Sequence, residues 1–349
     1  LLNEGRLDMK YVDQAVANIL RLKFKMGLFE NPYVSPEDAK KFVRSEAHRQ
    51  VAREMAREGV VLLKNDGILP LNKNVKSIAV IGPNADTQYN QLGDYTAPQD
   101  DQFIITPLEG IQAAVSKQTK VNYVKGCAIR DVTMSDIPAA VKAAKESDVA
   151  VLVVGGSSAR DFKTKYIATG AATVSSENEQ VLLDMDCGEG YDRSTLNLLG
   201  DQEKLMQALI ETGKPLVVVY IQGRTLNMNL AAEKANALLT AWYPGGEGGH
   251  GIADVLFGDY NPAGRLPVSI ARNEGQLPVY YSKGKQRDYM DGDANALFAF
   301  GYGLSYTQFE YSNLQITPGN DKDVLQTVTC TVKNTGGCDG HEIVQLYIR

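Results

Sequence analysis

The feature of this sequence that most constrains its fold is an alternation of short β-branched apolar runs with amphipathic segments. The apolar runs are SIAVIG (77–82), VNYV (121–124), DVAVLVVGG (148–156), PLVVVYI (215–221) and NALLTAW (236–242). The segments between and after them have helical spacing: TPLEGIQAAVSK, SDIPAAVKAAKES, DQEKLMQALIETG and HGIADVLFG. Strands that are apolar throughout are typical of parallel sheets covered by helices on both faces. The sequence therefore predicts an α/β fold, an α/β sandwich with a mostly parallel sheet flanked by helices.

The composition argues against several classes of partner. Lys and Arg number 36 against 42 Asp and Glu, which gives a formal net charge of −6 and no basic stripe. We therefore expect neither nucleic acid nor an anionic membrane as a partner. The apolar runs have the length of buried strands, far below the ~20 residues that a membrane-spanning helix needs.

The four cysteines include no C-x-x-C pair, and only three histidines accompany them. We therefore expect no metal and no cofactor. Cys330 and Cys338 could face each other across a turn in an oxidising compartment, but reduced thiols are the simpler expectation, because spacing alone does not establish the geometry of a bridge.

Both ends of the sequence look cut. Residues 1–33 begin at once as an amphipathic helix that stops near Gly27, with no initiator Met or signal peptide before it. The other end has two β-alternating runs, LQTVTCTVK and HEIVQLYIR, around the turn-rich NTGGCDG. A β-sandwich with only these strands would expose a long edge. We therefore expect the chain to be a fragment of a larger protein.

A segment of unusual length, 157–193, follows the run that ends at Gly156. Ordinary βα loops have about 2–6 residues, and the carboxyl ends of parallel strands are where ligands usually bind. Near the end of the segment Glu189 stands between two glycines. A carboxylate that a free backbone presents at a cleft suits general acid/base catalysis. The alternative is a solvated loop in which Asp192 and Arg193 pair locally.

The run GGEGGHGIADVLFG places Gly246, Gly248 and Gly251 in G-x-G-x-x-G spacing between a predicted strand and a predicted helix. This spacing is the dinucleotide-binding fingerprint. However, it follows the last strong strand, and no acidic residue ends a further strand about 20 residues on. We interpret the glycines as a tight turn with positive φ angles and expect no nucleotide.

Several stretches together resemble glycoside hydrolase family 3. GEGYDRSTLNLLGDQEKL is similar to the acid/base loop of that family, and AREGVVLLKNDGILPLNKNVKSIAVIGPNAD to the linker and first strand of its second domain. WYPGGEGGHGIADVLFGDYNPAGRLPVSI is similar to the closing glycine-rich turn, and FAFGYGLSYTQFEYSNL to the junction with a fibronectin type III-like domain. The resemblance covers nearly the whole chain.

The resemblance implies a domain order. Members carry a (β/α)₈ barrel first, and VDQAVANILRLKFKMGLFENPY is similar to its last helix and exit. We therefore expect four parts: 1–34 as the last helix and exit of a truncated barrel, 35–76 as a helical linker, 77–300 as the α/β sandwich, and 301–349 as the junction and an incomplete fibronectin type III-like domain.

The resemblance also implies a mechanism, retaining glycoside hydrolysis with two carboxyl groups. Glu189 would be the general acid/base, and the nucleophile, an Asp of the barrel, would precede Leu1. Among the other carboxylates, Glu177, Glu179 and Glu247 lack the Glu-x-x-Asp-Arg arrangement and are expected to be solvated. Two groups of residues receive lesser roles: Asp192 and Arg193 position the loop, and Arg160, Tyr95 and Gln99 either border an acceptor subsite or are ordinary surface residues.

Two classes of function remain open at this point. The first is an exo-acting β-glycosidase, either a β-glucosidase or a β-xylosidase, whose partners are a β-linked oligosaccharide or glycoside and the protein's own barrel. The second is a non-catalytic carbohydrate-binding or scaffold protein with the same domain. The resemblance implies a periplasmic or secreted location. The sequence leaves the oligomeric state and the choice between glucose and xylose open.

Overall fold

A computed structural model describes residues 1–96, 99–159, 184–188, 191–282, 284, 287–319, 321 and 323–348. The chain divides into two compact units, Leu1–Gln50 and Val51–Arg349.

The first unit is helical. Helix α1 (Met9–Lys25) begins at Asp8, whose carboxylate accepts a hydrogen bond from the Lys10 amide, and the chain reverses at Gly27 with a φ of 66°. Helix α2 (Pro36–Phe42) begins at Ser35, and α3 (Glu46–Gly59) starts in this unit and continues into the second. The amphipathic helix predicted for the start of the chain is confirmed. Its apolar side chains are not buried within the unit.

The second unit is built on a six-stranded sheet. Its strands are β1 (Val61–Asn65), β2 (Ser77–Ile81), β3 (Lys120–Val124), β4 (Val149–Gly155), β5 (Leu216–Ile221) and β6 (Ala237–Trp242). Their order in the sheet is β1-β6-β5-β4-β2-β3. Strands β2 to β6 run parallel to their neighbours, and β1 pairs with β6 in antiparallel orientation. The mostly parallel sheet predicted from the apolar runs is therefore confirmed.

Helices cover both faces of this sheet, and each face has its own core. The helices are α4 (Pro107–Ala114), α5 (Ile137–Lys145), α6 (Gln202–Ile210), α7 (Asn229–Lys234) and α8 (Gly248–Leu256). Alternate residues of a strand point to opposite faces, so Leu152 and Tyr220 pack with α5, α6 and α7, whereas Val151 and Val219 pack with α4 and α8. Complete burial of a Leu or Val side chain stabilises the fold by about 1.5–3 kcal/mol.

The two ends of the sheet region differ from the sequence-based expectation. Strand β1 lies within 35–76, where a helical linker is expected, and forms the edge beyond β6. After the sheet, β7 (Phe309–Pro318) and β8 (Gln326–Asn334) pair as an antiparallel hairpin. The run at 341–348, predicted as β, forms no strand in the described part of the chain. A strand needs a partner for its backbone groups, and the described residues offer this run none.

Two further observations complete the fold. Cys330 and Cys338 are exposed and unbridged. Within the described ranges, no helix has both the length and the apolar character that crossing a bilayer requires.

Candidate functional site

The carboxyl ends of β2, β4, β5 and β6 lie at one edge of the sheet, and the loops that follow them meet there. The structure describes the chain up to Gly188 and again from Tyr191. Gly188 and Tyr191 exchange two backbone hydrogen bonds, N–H to O, of 3.1 and 3.0 Å. Four predicted residues lie outside the described residues: Glu189, Arg160, Glu177 and Glu179.

Two aspartates fix the chain just before Glu189. The carboxylate of Asp184 accepts hydrogen bonds from the backbone amides of Ile129 and Arg130, each 2.8 Å long. Asp186 lies against the end of β4: its Oδ1 accepts from the Ser157 amide at 2.7 Å, and its own amide donates to the Ser157 carbonyl at 2.9 Å. Both contacts hold this segment to other parts of the α/β unit.

Arg193 fixes the chain just after Glu189. Its guanidinium forms an ion pair with Asp186, and the two side chains are only 3% and 2% exposed. The same guanidinium donates through Nε to the Thr195 carbonyl at 2.7 Å and through Nη2 to the Asn197 carbonyl. A guanidinium presents its donors as a rigid fork, so one side chain holds the stretch 193–197 and ties it to Asp186.

The solvated-loop interpretation expected Asp192 and Arg193 to pair with each other. In the structure their side chains have different partners. Asp192 Oδ1 accepts from the Arg193 backbone amide at 2.8 Å and from Arg224 Nη1 at 2.7 Å. These contacts, the backbone hydrogen bond first, lower the pKa of Asp192, so this carboxyl is ionised near neutral pH.

A buried polar chain lies beneath this segment. The amide nitrogen of the Asn84 side chain donates to the Gly156 carbonyl at 3.1 Å, and that of Asn90 donates to Asn84 Oδ1 at 2.7 Å. The Ser157 hydroxyl in turn donates to Asn90 Oδ1 at 2.7 Å. These side chains are buried and paired, which is what a buried polar group requires. The loop after β2 is thereby joined to the end of β4.

Two cavities flank the segment that leads to Glu189. One has a volume of about 490 Å³ and is lined in part by Tyr95, Cys187, Arg224 and Tyr243. The other, of about 350 Å³, lies on the side of Asp186, Tyr191, Arg193 and Thr195. Cys187 lines both. Burial raises the pKa of its thiol, so it stays neutral and is a poor nucleophile.

Tyr243 is a cavity residue that the sequence analysis missed. The preceding Trp242 has a φ of 55° at an irregularity in the pairing of β5 with β6, which turns the chain at the end of the strand. A Cβ at Gly223 would lie 2.5 Å from the Tyr243 ring, and one at Gly93 3.1 Å from it, so the ring occupies space that glycines leave open. Burial raises the pKa of Tyr243, which keeps the hydroxyl protonated. Its position after a predicted strand was the signal that could have identified it.

The two described acceptor-subsite candidates are placed differently. Tyr95 lines the larger cavity and is 84% exposed. Gln99 is tied through its backbone: its amide donates to the Tyr89 hydroxyl at 3.1 Å, and that hydroxyl donates to the Gln99 carbonyl. Arg224, which the sequence analysis did not single out, lines the same cavity as Tyr95.

The expectation that Glu247 is solvated is wrong. Glu247 is 6% exposed, directly precedes α8, and holds its Oε2 2.7 Å from Nδ1 of His250. It is buried because the glycines around it let the chain pack closely. Among the described residues, no cluster of His, Cys, Asp and Glu is arranged to hold a metal ion.

The interpretation of the glycine-rich run as a turn with positive φ angles is confirmed at Gly245, whose φ is 79°, but not at Gly246, Gly248 and Gly251, none of which has a φ in the left-handed region. Their small size is needed for close packing. A Cβ at Gly251 would lie 2.6 Å from Cβ of Ala56 in α3, and one at Gly248 would lie 2.5 Å from Pro244.

Comparisons with known proteins show which family this chain resembles. The model of the glycosyl hydrolase family 3 C-terminal domain matches residues 60–306. A β-xylosidase of Formosa agariphila is 38% identical over 98% of this chain and 45% of its own length, and a periplasmic β-glucosidase of Salmonella typhimurium is 37% identical over 100% and 47%. The chain thus spans about half the length of these curated relatives.

Solved structures agree with the fold. The crystal structure of a β-glucosidase from Listeria innocua in complex with glucose matches 97% of this chain and 45% of its own, with 30% identity and a TM-score of 0.76. A β-glucosidase from Erythrobacter marinus matches 96% of the chain and 45% of its own, with 36% identity and a TM-score of 0.73.

Proposed function

The chain belongs to glycosyl hydrolase family 3, and we propose that it supplies the general acid/base, Glu189, of a retaining β-glycosidase that releases a terminal sugar. The observation that carries the proposal is the anchoring of the chain around Glu189. Asp186 and Arg193 are buried on either side of it in sequence, and the described segments next to it border two open cavities. A solvated connection needs neither buried anchors nor a cavity.

The proposed reaction uses two carboxyl groups. In the first step a carboxylate outside this chain attacks the anomeric carbon, the glycosidic C–O bond breaks, and protonated Glu189 gives its proton to the leaving oxygen. In the second step ionised Glu189 takes a proton from water while that water attacks the same carbon and frees the nucleophile. Asp192 and Arg193 position the loop, Asp192 through Arg224 and Arg193 through Asp186.

The acceptor side of the substrate is proposed to occupy the larger cavity. Tyr95 offers an exposed aromatic face, Arg224 offers a guanidinium, and the Tyr243 ring lines the same cavity. Arg160 and Gln99 remain weaker candidates: Arg160 lies outside the described residues, and the hydrogen bonds described for Gln99 come from its backbone.

The domain proposal follows the family resemblance. We assign 1–34 to the end of a (β/α)₈ barrel, 35–76 to a linker whose strand β1 joins the sheet of the next domain, 77–300 to the rest of the α/β sandwich and 301–349 to the start of a fibronectin type III-like domain. The partial coverage of relatives supports a partner segment in the same protein. The chain alone is proposed to be inactive, because the nucleophile lies outside it.

The substrate is proposed to be a β-glucoside, with a β-xyloside as the second candidate, because relatives of both names match the chain at similar identity. A periplasmic or secreted location is proposed from the relative named a periplasmic β-glucosidase. The non-catalytic alternative requires a protein whose barrel lacks the nucleophile.

The test of the proposed function is the dependence of rate on leaving group in the full-length protein. Glu189→Gln is expected to slow hydrolysis of a phenyl β-glycoside by about 10²–10⁴-fold, the usual loss when general acid catalysis is removed. Formation of the glycosyl-enzyme from a 2,4-dinitrophenyl β-glycoside should be nearly unchanged, since that leaving group needs little protonation. Equal losses for both substrates in this step would contradict the role of Glu189.

A further inference from the structure

We infer that Asp186 is a positioning residue for the acid/base, a role that rests on the proposed function of Glu189. Asp186 lies three residues before Glu189 and Arg193 four residues after it. Their ion pair therefore joins the chain just before Glu189 to the chain just after it. A side-chain contact that joins the two strands of chain entering and leaving a residue limits where that residue can lie.

Asp186 also connects this stretch to the central sheet. Its Oδ1 accepts from the Ser157 amide, two residues after the end of β4, a strand buried along its whole length. The Ser157 hydroxyl continues the contact to Asn90 in the loop after β2. That loop also carries Tyr95. The Asp186 carboxylate thus connects the segment that leads to Glu189 with the end of β4 and, through Ser157, with the loop that forms a wall of the larger cavity.

The energetics favour positioning over stability as the reason for this pair. Burying two charges carries a desolvation penalty that their attraction only partly offsets, so apolar residues of similar volume would serve stability as well. A buried ion pair with hydrogen bonds to fixed backbone groups instead specifies one geometry. Catalytic groups lose rate steeply when they move from the productive geometry, which makes such a specification useful here.

Gly156 supplies independent evidence for the same role. A Cβ at this position would lie 2.6 Å from both carboxylate oxygens of Asp186. Those oxygens cannot swing away freely, because Ser157 and Arg193 hold them. The glycine is therefore required for the carboxylate to reach its position, and its replacement displaces Asp186 without removing any charge.

The experiment compares Asp186→Asn and Gly156→Ala in the full-length protein, with phenyl and 2,4-dinitrophenyl β-glycosides as substrates. Both variants should lower kcat/KM for the phenyl glycoside by about 10–100-fold, the effect of a misplaced general acid. The rate of glycosyl-enzyme formation from the dinitrophenyl glycoside should fall by less than about threefold. If Asp186→Asn does not fold, Gly156→Ala carries the test alone, since it keeps the ion pair's charges.

Asp254→Asn is the matched control. Asp254 is also a buried carboxylate, 2% exposed at its side chain, and it pairs with Arg53 in α3. This variant should lose stability and keep the wild-type ratio of the two rates. The inference is overturned if Asp186→Asn and Gly156→Ala also keep that ratio while Glu189→Gln changes it. If Glu189→Gln does not change the ratio either, the proposed function fails and the inference fails with it.

Discussion

Carboxylates of this chain differ in role because their partners differ. Asp184 accepts from two backbone amides, Asp186 pairs with a buried guanidinium, and Glu247 meets an imidazole. Each of these carboxylates is engaged by other groups of the protein, which suits a structural role. General acid catalysis needs the opposite environment, a carboxyl group that is covered and lacks such partners when the substrate is bound.

Glu189 could be proposed as the acid/base from its residue neighbours, but a role for Asp186 could not. The glycines on both sides of Glu189 and the following Asp192 and Arg193 form a readable pattern. Asp186 stands in an ordinary stretch, LLDMDC, and its partner Ser157 is 29 positions away in the sequence. Contacts of that kind depend on how the loops fold back on the sheet, which local pattern does not report.

The loop that Arg193 holds is predicted to be sensitive to acid through Glu274. Glu274 Oε1 accepts from the Thr195 hydroxyl at 2.7 Å and from the Leu196 amide at 2.6 Å. These bonds, that of Thr195 first, lower the pKa of Glu274 below its ordinary 4.5. Because the pKa is lower in the folded state, the carboxylate adds stability above the unfolded pKa and loses it as pH falls through the folded pKa.

The measurement is urea unfolding of wild type and Glu274→Gln between pH 7 and pH 3. Wild type should be the more stable at pH 7, and the difference in free energy of unfolding should shrink below pH 4.5. Asp323→Asn, an exposed change in the segment between β7 and β8, serves as the control. A difference that stays constant or grows on acidification would contradict the account.

At the scale of secondary-structure elements, glycines allow two helices to pack closely. Helices α4 and α8 touch backbone to backbone, since a Cβ at Gly249 would lie 1.9 Å from the Thr106 carbonyl oxygen and one at Gly110 2.0 Å from that of Gly249. Backbone atoms cannot rotate away as side chains can. The glycine-rich run after β6 therefore serves the approach of two helices.

We predict that Gly249→Ala destabilises the chain by about 3 kcal/mol or more, because overpacking at a backbone contact forces the helices apart. Gly59→Ala is the matched control: Gly59 ends α3 and has no neighbour within 4 Å of an added Cβ. This control should leave stability unchanged or raise it by up to about 1 kcal/mol, since alanine favours helix. Urea midpoints report both values, and a loss below about 1 kcal/mol for Gly249→Ala would refute the packing argument.

The elements also show where sequence pattern suffices. Strands β2 and β4–β6 could be predicted because parallel strands buried on both faces leave continuous apolar runs such as PLVVVYI. Strand β1 could not, since its antiparallel pairing with β6 at an edge depends on partners such as Thr240, which lies 179 positions after Val61. The reason for a glycine at position 251 of the G-x-G-x-x-G motif was hidden in the same way, because the residue that a Cβ there would meet, Ala56, lies in α3, far from the motif in sequence.

At the scale of the whole molecule, the chain spans about half the length of its relatives. The proposed mechanism takes one of its two carboxyl groups from this chain and the other from outside it. We predict that the purified 349-residue chain does not hydrolyse aryl β-glucosides or β-xylosides, while the full-length protein does. Glycosyl-enzyme formation requires the second carboxylate. Both proteins should be prepared from a host without β-glycosidase. Turnover by the isolated chain that Glu189→Gln abolishes would place the nucleophile within these residues instead.

The central claim, that Glu189 is the acid/base, is tested most directly by chemical rescue of the full-length Glu189→Gln protein. With a 2,4-dinitrophenyl β-glycoside the glycosyl-enzyme should form and accumulate, because the second step lacks its base. Azide needs no deprotonation, so it should restore turnover and yield a β-glycosyl azide. Glu177→Gln and Glu179→Gln, changes on the same long segment, should show neither the accumulation nor the rescue. If azide leaves Glu189→Gln unaffected, or if it rescues either of the other two variants, the acid/base lies elsewhere.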